Sequence, residues 1–307
     1  MQKKKRQRVD GVVLLDKPQG ITSNAAIQRV KRIFNAEKAG HVGTLDPMAT
    51  GLLPVCLGEA TKFSSDAFSA DKKYEAVIRL GVTTTTGDAE GEITAQREVN
   101  VSREQLDAVL RNFTGELQQV PPMHSALKRD GKPLYAYARS GVTLEREPRR
   151  IVIYALRLLE FNDSRLTIDV SCSKGTYIRV LAEDIGAALG CGASLSGLRR
   201  TRVGSESVDQ AVELERLESM PEGERAGALR PVDSLASGLP RVELDAQAES
   251  RVLMGQRPLV DMPATAVPGL VRIYGAECRF LGLAELAASG ILTPRRLIAS
   301  SGTPDAR

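Results

Sequence analysis

The sequence predicts an α+β fold around a mixed, mostly antiparallel sheet. Five strand-like segments, at 12–15, 52–57, 74–80, 151–159 and 166–172, are spaced unevenly along the chain. In the last of them Leu166, Ile168, Val170 and Cys172 alternate with polar residues, the period of a strand with one buried face. Helical stretches fall between these segments without the strand–helix–strand rhythm of a parallel sheet.

Taken in order, the chain opens on a basic tail, residues 1–10, containing Lys3, Lys4, Lys5, Arg6 and Arg8. The segment 74–80 puts Tyr74, Ala76, Ile78 and Leu80 on one face, as a core strand requires. Four threonines, 83–86, run into the turn-rich Gly87-Asp-Ala-Glu-Gly. Ser102 and Gln105 form a capping box ahead of Leu106, Val109, Leu110 and Phe113, which marks a helix start. Thr176 opens a second helix through Leu181, Ile185 and Leu189, with Gly190 placed to end it. Residues 203–245 are acidic and contain Pro221, Pro231 and Pro240, and the end of this stretch reads as a linker. Beyond it, short strands at 270–274 and 296–298, flanked by Arg272, Arg295 and Arg296, indicate a small β-rich unit. The expected organisation is a tail (1–10), a main unit (11–245) and a C-terminal unit (246–307).

Composition narrows the function classes. The hydrophobic share of 42% and charged share of 26% exclude a disordered or fibrous chain. No apolar run approaches the ~18 residues of a membrane span, and the basic start lacks the apolar stretch of a secretion signal. Cys56, Cys172, Cys191 and Cys278 include no C-x-x-C pair, which argues against zinc and fits a reducing cytoplasm. The formal charge of +4 is unevenly spread: +6 over 128–202, −7 over 203–250 and +3 over 251–307. One face is expected to meet a polyanion. The same blocks are also what solvated surface looks like.

The densest irregular stretch is Lys38-Ala-Gly-His-Val-Gly-Thr-Leu-Asp-Pro-Met-Ala-Thr-Gly-Leu-Leu-Pro. Glycines on both sides of Asp46, with Pro47 behind it, fix a loop that keeps Asp46 out of the helical region. Such a loop is what holding one carboxylate out into a cleft requires, although a lone Asp-Pro is more often an ordinary turn. There is no Walker loop, no acidic cluster of metal spacing, and no nucleophile elbow near His41 or His124. An enzyme built from these residues works through a single carboxylate without metal or cofactor. Arg179 breaks a local rule, because a cation in the first turn of a helix opposes the dipole. Either an anion sits beside it (a carboxylate or an RNA phosphate), or it is exposed and points away.

These residues resemble a known family. Gly40-His-Val-Gly-Thr-Leu-Asp-Pro-Met-Ala-Thr-Gly-Leu-Leu-Pro is similar to the signature loop of the bacterial TruB-type tRNA pseudouridine synthases. The likeness continues in Leu15-Asp-Lys-Pro-Gln-Gly-Ile-Thr-Ser-Asn, Lys73-Tyr-Glu-Ala, Thr86-Gly-Asp-Ala-Glu-Gly and Val120-Pro-Pro-Met-His-Ser-Ala-Leu-Lys. It ends in Lys174-Gly-Thr-Tyr-Ile-Arg and Ser196-Gly-Leu-Arg-Arg-Thr, so the blocks follow the family order over residues 11–202. The C-terminal unit resembles, more weakly, a PUA-type RNA-binding module.

The resemblance implies isomerisation of uridine 55 in the TΨC loop of tRNA to pseudouridine, with no cofactor. Asp46 falls at the catalytic aspartate. Tyr74 falls at the tyrosine that stacks on the target base and helps remove its C5 proton, and Arg179 at the arginine paired with the carboxylate. His41, Tyr177 and Leu198 match further substrate contacts, and Lys17, in the Lys-Pro motif, is placed with them. Residues 124–150 correspond to a mobile thumb-like insertion, with Lys128, Arg129, Lys132, Arg139, Arg149 and Arg150 for phosphates and Gly131 and Gly141 as hinges. The C-terminal unit is expected on the acceptor arm. No metal, membrane or obligate protein partner is implied, and tRNA-folding activity is compatible. Two other classes are less well served. A pure RNA-binding or tRNA-folding protein has no need of Asp46, Tyr74 and Arg179 together. A retaining glycosidase needs two carboxylates about 5–5.5 Å apart, and only Asp46 lies in a suitable loop.

Overall fold

The computed structural model describes residues 5–64, 70–261 and 267–298. Lys3 and Lys4 of the basic tail, and the end of the C-terminal unit (299–307), lie outside the described residues.

The five expected strands extend to Gly11–Lys17, Thr50–Leu57, Lys72–Leu80, Arg149–Asn162 and Arg165–Cys172. They belong to one mixed sheet. Its order from edge to edge is Val212–Glu213, Gly11–Lys17, Thr50–Leu57, Ala193–Val203, Lys72–Leu80, Arg165–Cys172, Arg149–Asn162 and Gly115–Gln119. Ala39–His41 pairs with Thr50–Leu57, and Glu206–Ser207 with Ala193–Val203. Pairing is mostly antiparallel. Parallel joins occur where Gly11–Lys17 meets Val212–Glu213 and where Thr50–Leu57 meets Ala193–Val203.

The alternation read in the sequence sets which face is buried. Tyr74, Ala76 and Ile78 lie opposite Val170, Ile168 and Leu166 across the strand pair, and Leu80 joins the same core. Helices Ser23–Ile33, Arg103–Asn112 and Ile178–Ala188 cover that face with Ala26, Val30, Leu106, Leu181 and Ile185. Truncating a fully buried member such as Ile78 to Ala costs about 2–5 kcal/mol. Val12, Leu14, Leu52 and Cys56 form a second cluster with Val203 on the opposite face, so the strands they belong to are apolar on both sides.

The capping box at Ser102 and Gln105 is formed in both directions. The second helix corrects the expected start. It runs Ile178–Ala188 with Tyr177 at its N-cap, while Thr176 donates its hydroxyl to the Ser173 carbonyl at 2.9 Å. The threonine side chain is thus spent on the preceding turn.

Strand Ala193–Val203 carries a bulge. Leu195 faces Ile78, and after one extra residue Gly197 faces Val77, Leu198 faces Ala76 and Arg200 faces Tyr74. Strict alternation from Leu195 would send 197 and 199 inward. The extra residue turns Leu198 and Arg200 to the buried face instead.

The acidic stretch is stitched into the fold rather than loose. Val212–Glu213 extends the large sheet, and the strand Arg241–Glu243 pairs in parallel with Gly269–Tyr274. The small sheet therefore begins ahead of the expected boundary at 246, and Phe280–Leu286 and Leu292–Leu297 complete it. Tyr274 and Arg272 both bind the Asp233 carboxylate, the latter at 3.2 Å. The Phe63 and Phe280 rings meet edge-on at 5.4 Å. The 124–150 segment forms a hairpin (Lys128–Arg129 with Lys132–Pro133) and the short helix Leu134–Arg139. Gly131 and Gly141 occupy left-handed turn positions there. Among the described residues no helix is long and apolar enough to cross a membrane.

Candidate active site

Asp46 projects from the loop between Ala39–His41 and Thr50–Leu57, and three buried side chains fix that loop. Ser23 donates its hydroxyl to the Leu45 carbonyl and accepts the Leu45 amide, both at 2.8 Å. Lys17, fully buried, donates Nζ to the carbonyls of Pro18 (2.9 Å), Ile21 (2.8 Å) and Pro47 (3.4 Å). Arg200 donates Nε to Leu52 O at 2.7 Å and Nη2 to Gly43 O at 2.9 Å. Gly43 and Gly51 have φ of 73° and 98°. A Cβ there would come within 2.9 Å of Arg200 Nη1 and 2.3 Å of Arg200 O respectively. Both positions need glycine, because the arginine occupies the space.

Lys17 was expected to touch substrate, and the structure corrects this. Its ammonium is spent on main-chain carbonyls beneath the loop, and burial lowers it to about 8. It positions the Asp46 loop.

Arg179 sits between two carboxylates. Nη2 lies 3.2 Å from Asp46 Oδ2, and Nη1 lies 3.3 Å from Asp88 Oδ2. The guanidinium also donates to Thr86 O (3.2 Å) and His124 O (2.5 Å). The cation that opposed the helix dipole has its compensating anions here. Asp88 is held in turn by the Thr86 hydroxyl at 2.5 Å and the Glu90 amide at 3.1 Å. Burial raises the Asp46 carboxyl above its ordinary value. Arg179, Lys17 and His124 oppose that rise, and Asp88 adds to it.

Two pockets flank Asp46. One, of about 370 Å³, is walled by Asp46, Tyr74, Tyr177, Arg179, Leu198 and Arg200. The other, of about 500 Å³, is lined by Asp46, His41, Asp88 and Arg179, with Tyr135 and Arg139 from the 124–150 segment. Asp46, Tyr74, Arg179, Tyr177 and Leu198 are thus gathered on one side of the loop. His41 lies on the other side. Gln119 fixes Tyr177 by its main chain, accepting its amide at 2.8 Å and donating to its carbonyl at 3.1 Å.

Asp88, Arg200, Ser23 and Gln119 were not anticipated. Asp88 looks like a turn residue in a Gly-rich run. Arg200 looks like an outward strand residue until the bulge is known. Among the described residues, no group of three or more His, Cys, Asp or Glu side chains converges as a metal site would. What the arrangement offers chemically is one accessible carboxylate oriented by a buried guanidinium, beside an aromatic- and leucine-walled pocket of ligand size.

Comparison with known proteins follows this geometry. Three family models match successive stretches. "TruB family pseudouridylate synthase (N terminal domain)" covers 31–178, "tRNA pseudouridylate synthase B C-terminal domain" covers 179–237, and "Pseudouridine synthase II TruB, C-terminal" covers 240–298. A Cupriavidus metallidurans protein named tRNA pseudouridine synthase B is 55% identical over 300 residues, 95% of each chain. One of the same name from Aromatoleum aromaticum is 55% identical over 298 residues, 97% of this chain and 96% of that one. A solved structure, the archaeal box H/ACA sRNP Nop10-Cbf5 complex, matches with TM-score 0.71 and 28% identity, over 94% of this chain and 85% of that chain. The chain belongs to the TruB family of pseudouridine synthases.

Proposed function

We propose that this enzyme converts uridine 55 in the TΨC loop of tRNA to pseudouridine, with Asp46 as the catalytic carboxylate. The observation that carries this reading is the Asp46–Arg179 pair at a pocket walled by Tyr74 and Leu198. The reaction breaks N1–C1′, turns the uracil, joins C5 to C1′ and releases the C5 proton. Three roles are open to the carboxylate: attack on C1′, attack on C6, or removal of the C2′ proton. Arg179 orients it for any of them. Taking the base out of the tRNA elbow costs a few kcal/mol. Stacking on Tyr74 offsets part of that, as aromatic platforms do for splayed bases.

The basic 124–150 segment serves as the clamp on tRNA phosphates in this reading. Residues 240–298 reach the acceptor arm, and His41 contacts RNA from the far side of the Asp46 loop. The same reading puts the protein in the cytoplasm with its substrate. The test is incubation of purified protein with unmodified tRNA transcript, followed by carbodiimide mapping. Pseudouridine at position 55 is expected; a transcript that stays unmodified there overturns the reading.

A further inference from the structure

Two buried cations lie beneath the base pocket, and nothing in the reaction described so far uses their charge. Arg200 is 1% exposed and is the direct cross-strand partner of Tyr74, so both side chains rise from one face of the sheet. Besides bonding Leu52 and Gly43, it shares the pocket wall with Tyr74, and the two side chains interact electrostatically. Among the described residues, the group that supports its charge is Tyr74 rather than a carboxylate. Lys72, two residues before Tyr74 on the same strand, is also buried and donates to Ala70 O at 2.5 Å. Burial, and then repulsion from Arg200, lower its ammonium to about 8. A desolvated guanidinium among neutral partners is costly. Negative charge arriving beside it removes part of that cost.

We propose that Arg200 is the counter-charge of Tyr74: it fixes the phenolic oxygen toward the pocket and stabilises the phenolate that takes the C5 proton of the re-attached base. This rests on the reading of Tyr74 given above. The step balances. Tyr74 first releases its proton to solvent, and its phenolate oxygen then takes the C5 proton. The C5–H electron pair closes the C5–C6 double bond. The C6–N1 pair returns to N1, which takes up the equivalent of the proton first released. The groups facing Tyr74 divide in their effect. Burial disfavours the phenolate, Arg200 on Ala193–Val203 favours it, and Cys172 on the neighbouring strand and Asp46 on the loop oppose it. Arg200 is the largest of the influences in its favour.

The experiment uses the full chain labelled with [13Cζ]tyrosine, the Tyr74 signal being assigned with Tyr74→Phe. Ionisation of Tyr74 is followed by NMR against pH, without tRNA, in the wild type, Arg200→Lys and Arg200→Gln. The midpoint should rise by about one unit or more in Arg200→Gln, as for loss of an adjacent opposite charge. It should return part of the way in Arg200→Lys. Equal midpoints in all three overturn the proposal. A second readout is the effect of deuterium at C5 of the target uridine under single turnover. It should be larger in Arg200→Gln than in the wild type, and an unchanged isotope effect also overturns the proposal. Should Arg200→Gln fail to fold, 3-fluorotyrosine at position 74 leaves Arg200 in place. Its more acidic phenol should carry C5 proton release to lower pH, and an unmoved pH profile removes the phenolate that Arg200 is proposed to stabilise, which overturns the proposal. If the wild type makes no pseudouridine, the functional reading fails while the titration still decides the coupling of Arg200 to Tyr74.

Discussion

Arg179 is held more deeply by Asp88 than by Asp46. The two carboxylates lie at nearly equal distances from the guanidinium, 3.3 and 3.2 Å, but the Asp88 side chain is 4% exposed and that of Asp46 is 38% exposed. Asp88 is the anchor, and Asp46 the end left open to a substrate. Asp88→Asn keeps an acceptor for Thr86 but removes the charge that fixes Arg179. Single-turnover pseudouridine formation should fall by at least about 100-fold, the scale of losing one preorganised electrostatic group. Stability should fall as well, by up to about 3–5 kcal/mol for a broken buried pair. Thermal melts and rates measure the two separately, and a near-normal rate removes Asp88 from the site's architecture.

Asp46→Asn should abolish turnover while changing tRNA affinity by less than ~1 kcal/mol, since phosphate contacts supply most of the binding. In the wild type the acid limb of the rate should lie above the ordinary aspartate value of 3.8, because burial raises the carboxyl. The effect on stability has the opposite sign. A carboxyl with a raised folded value binds its proton more tightly in the native state. Its contribution to stability therefore declines as pH rises from 3.8 through the raised value. A pH–rate profile checks the first statement, and melts of wild type against Asp46→Asn over acid pH check the second.

Arg179→Lys keeps the charge but cannot reach Asp46 and Asp88 with one planar fork, so it should be damaging. Its shorter reach also sets the charge further from Asp46, and since Arg179 is the largest influence opposing the rise there, the acid limb should move further up. Tyr74→Phe keeps the stacking ring and loses the hydroxyl, so chemistry should suffer more than binding. Near-normal single-turnover rates in both variants would mean that neither group acts on the base.

Removal of the small sheet is best made before Arg241, because Val242 is buried with that sheet. Such a truncation also strips partners from Asp233 and Phe63. The large sheet should remain folded and active. Affinity for full tRNA should drop with a shallower salt dependence, as fewer counterions are released. An isolated TΨC stem-loop should scarcely notice. Binding of both RNAs at two salt concentrations decides it, and equal losses on both would rule out an acceptor-arm contact.

Much of the fold was legible because strands with one buried face must alternate, and Lys72–Leu80 and Arg165–Cys172 do so plainly. Arg179 was legible as a site residue because it broke a helix-end rule, and the Asp46 loop because of its glycines. The residues that hold these two in place were not. Ser23 and Gln119 act through main-chain partners 22 and 58 positions away, a separation that local pattern does not encode. Lys17 was placed with the substrate contacts through its Lys-Pro motif, and a lysine is rarely fully buried. Its burial depends on three carbonyls that converge only after folding. The sheet's early start at Arg241 was hidden by the prolines and acids around it.

The bulge in Ala193–Val203 makes that strand behave like a reading frame. On one side of it the residues turned to the large core and pocket fall at odd positions, Ala193 and Leu195, and on the other, as far as a second shift after Arg200, at even ones, Leu198 and Arg200. Loss of the extra residue, Ser196 for example, would let plain alternation carry Leu198 and Arg200 to the same places, but one residue inserted between Gly197 and Leu198 would rotate everything beyond it by half a period. The residue now at 199, already paired with Asp16 on the far face, would then arrive under the pocket, and Arg200 would turn out to solvent. An arginine would still stand opposite Tyr74 in name, but torn from its carboxylate, while the inserted residue would take the place of the leucine wall. Substitutions along this strand can be graded one at a time. An insertion there is all-or-none.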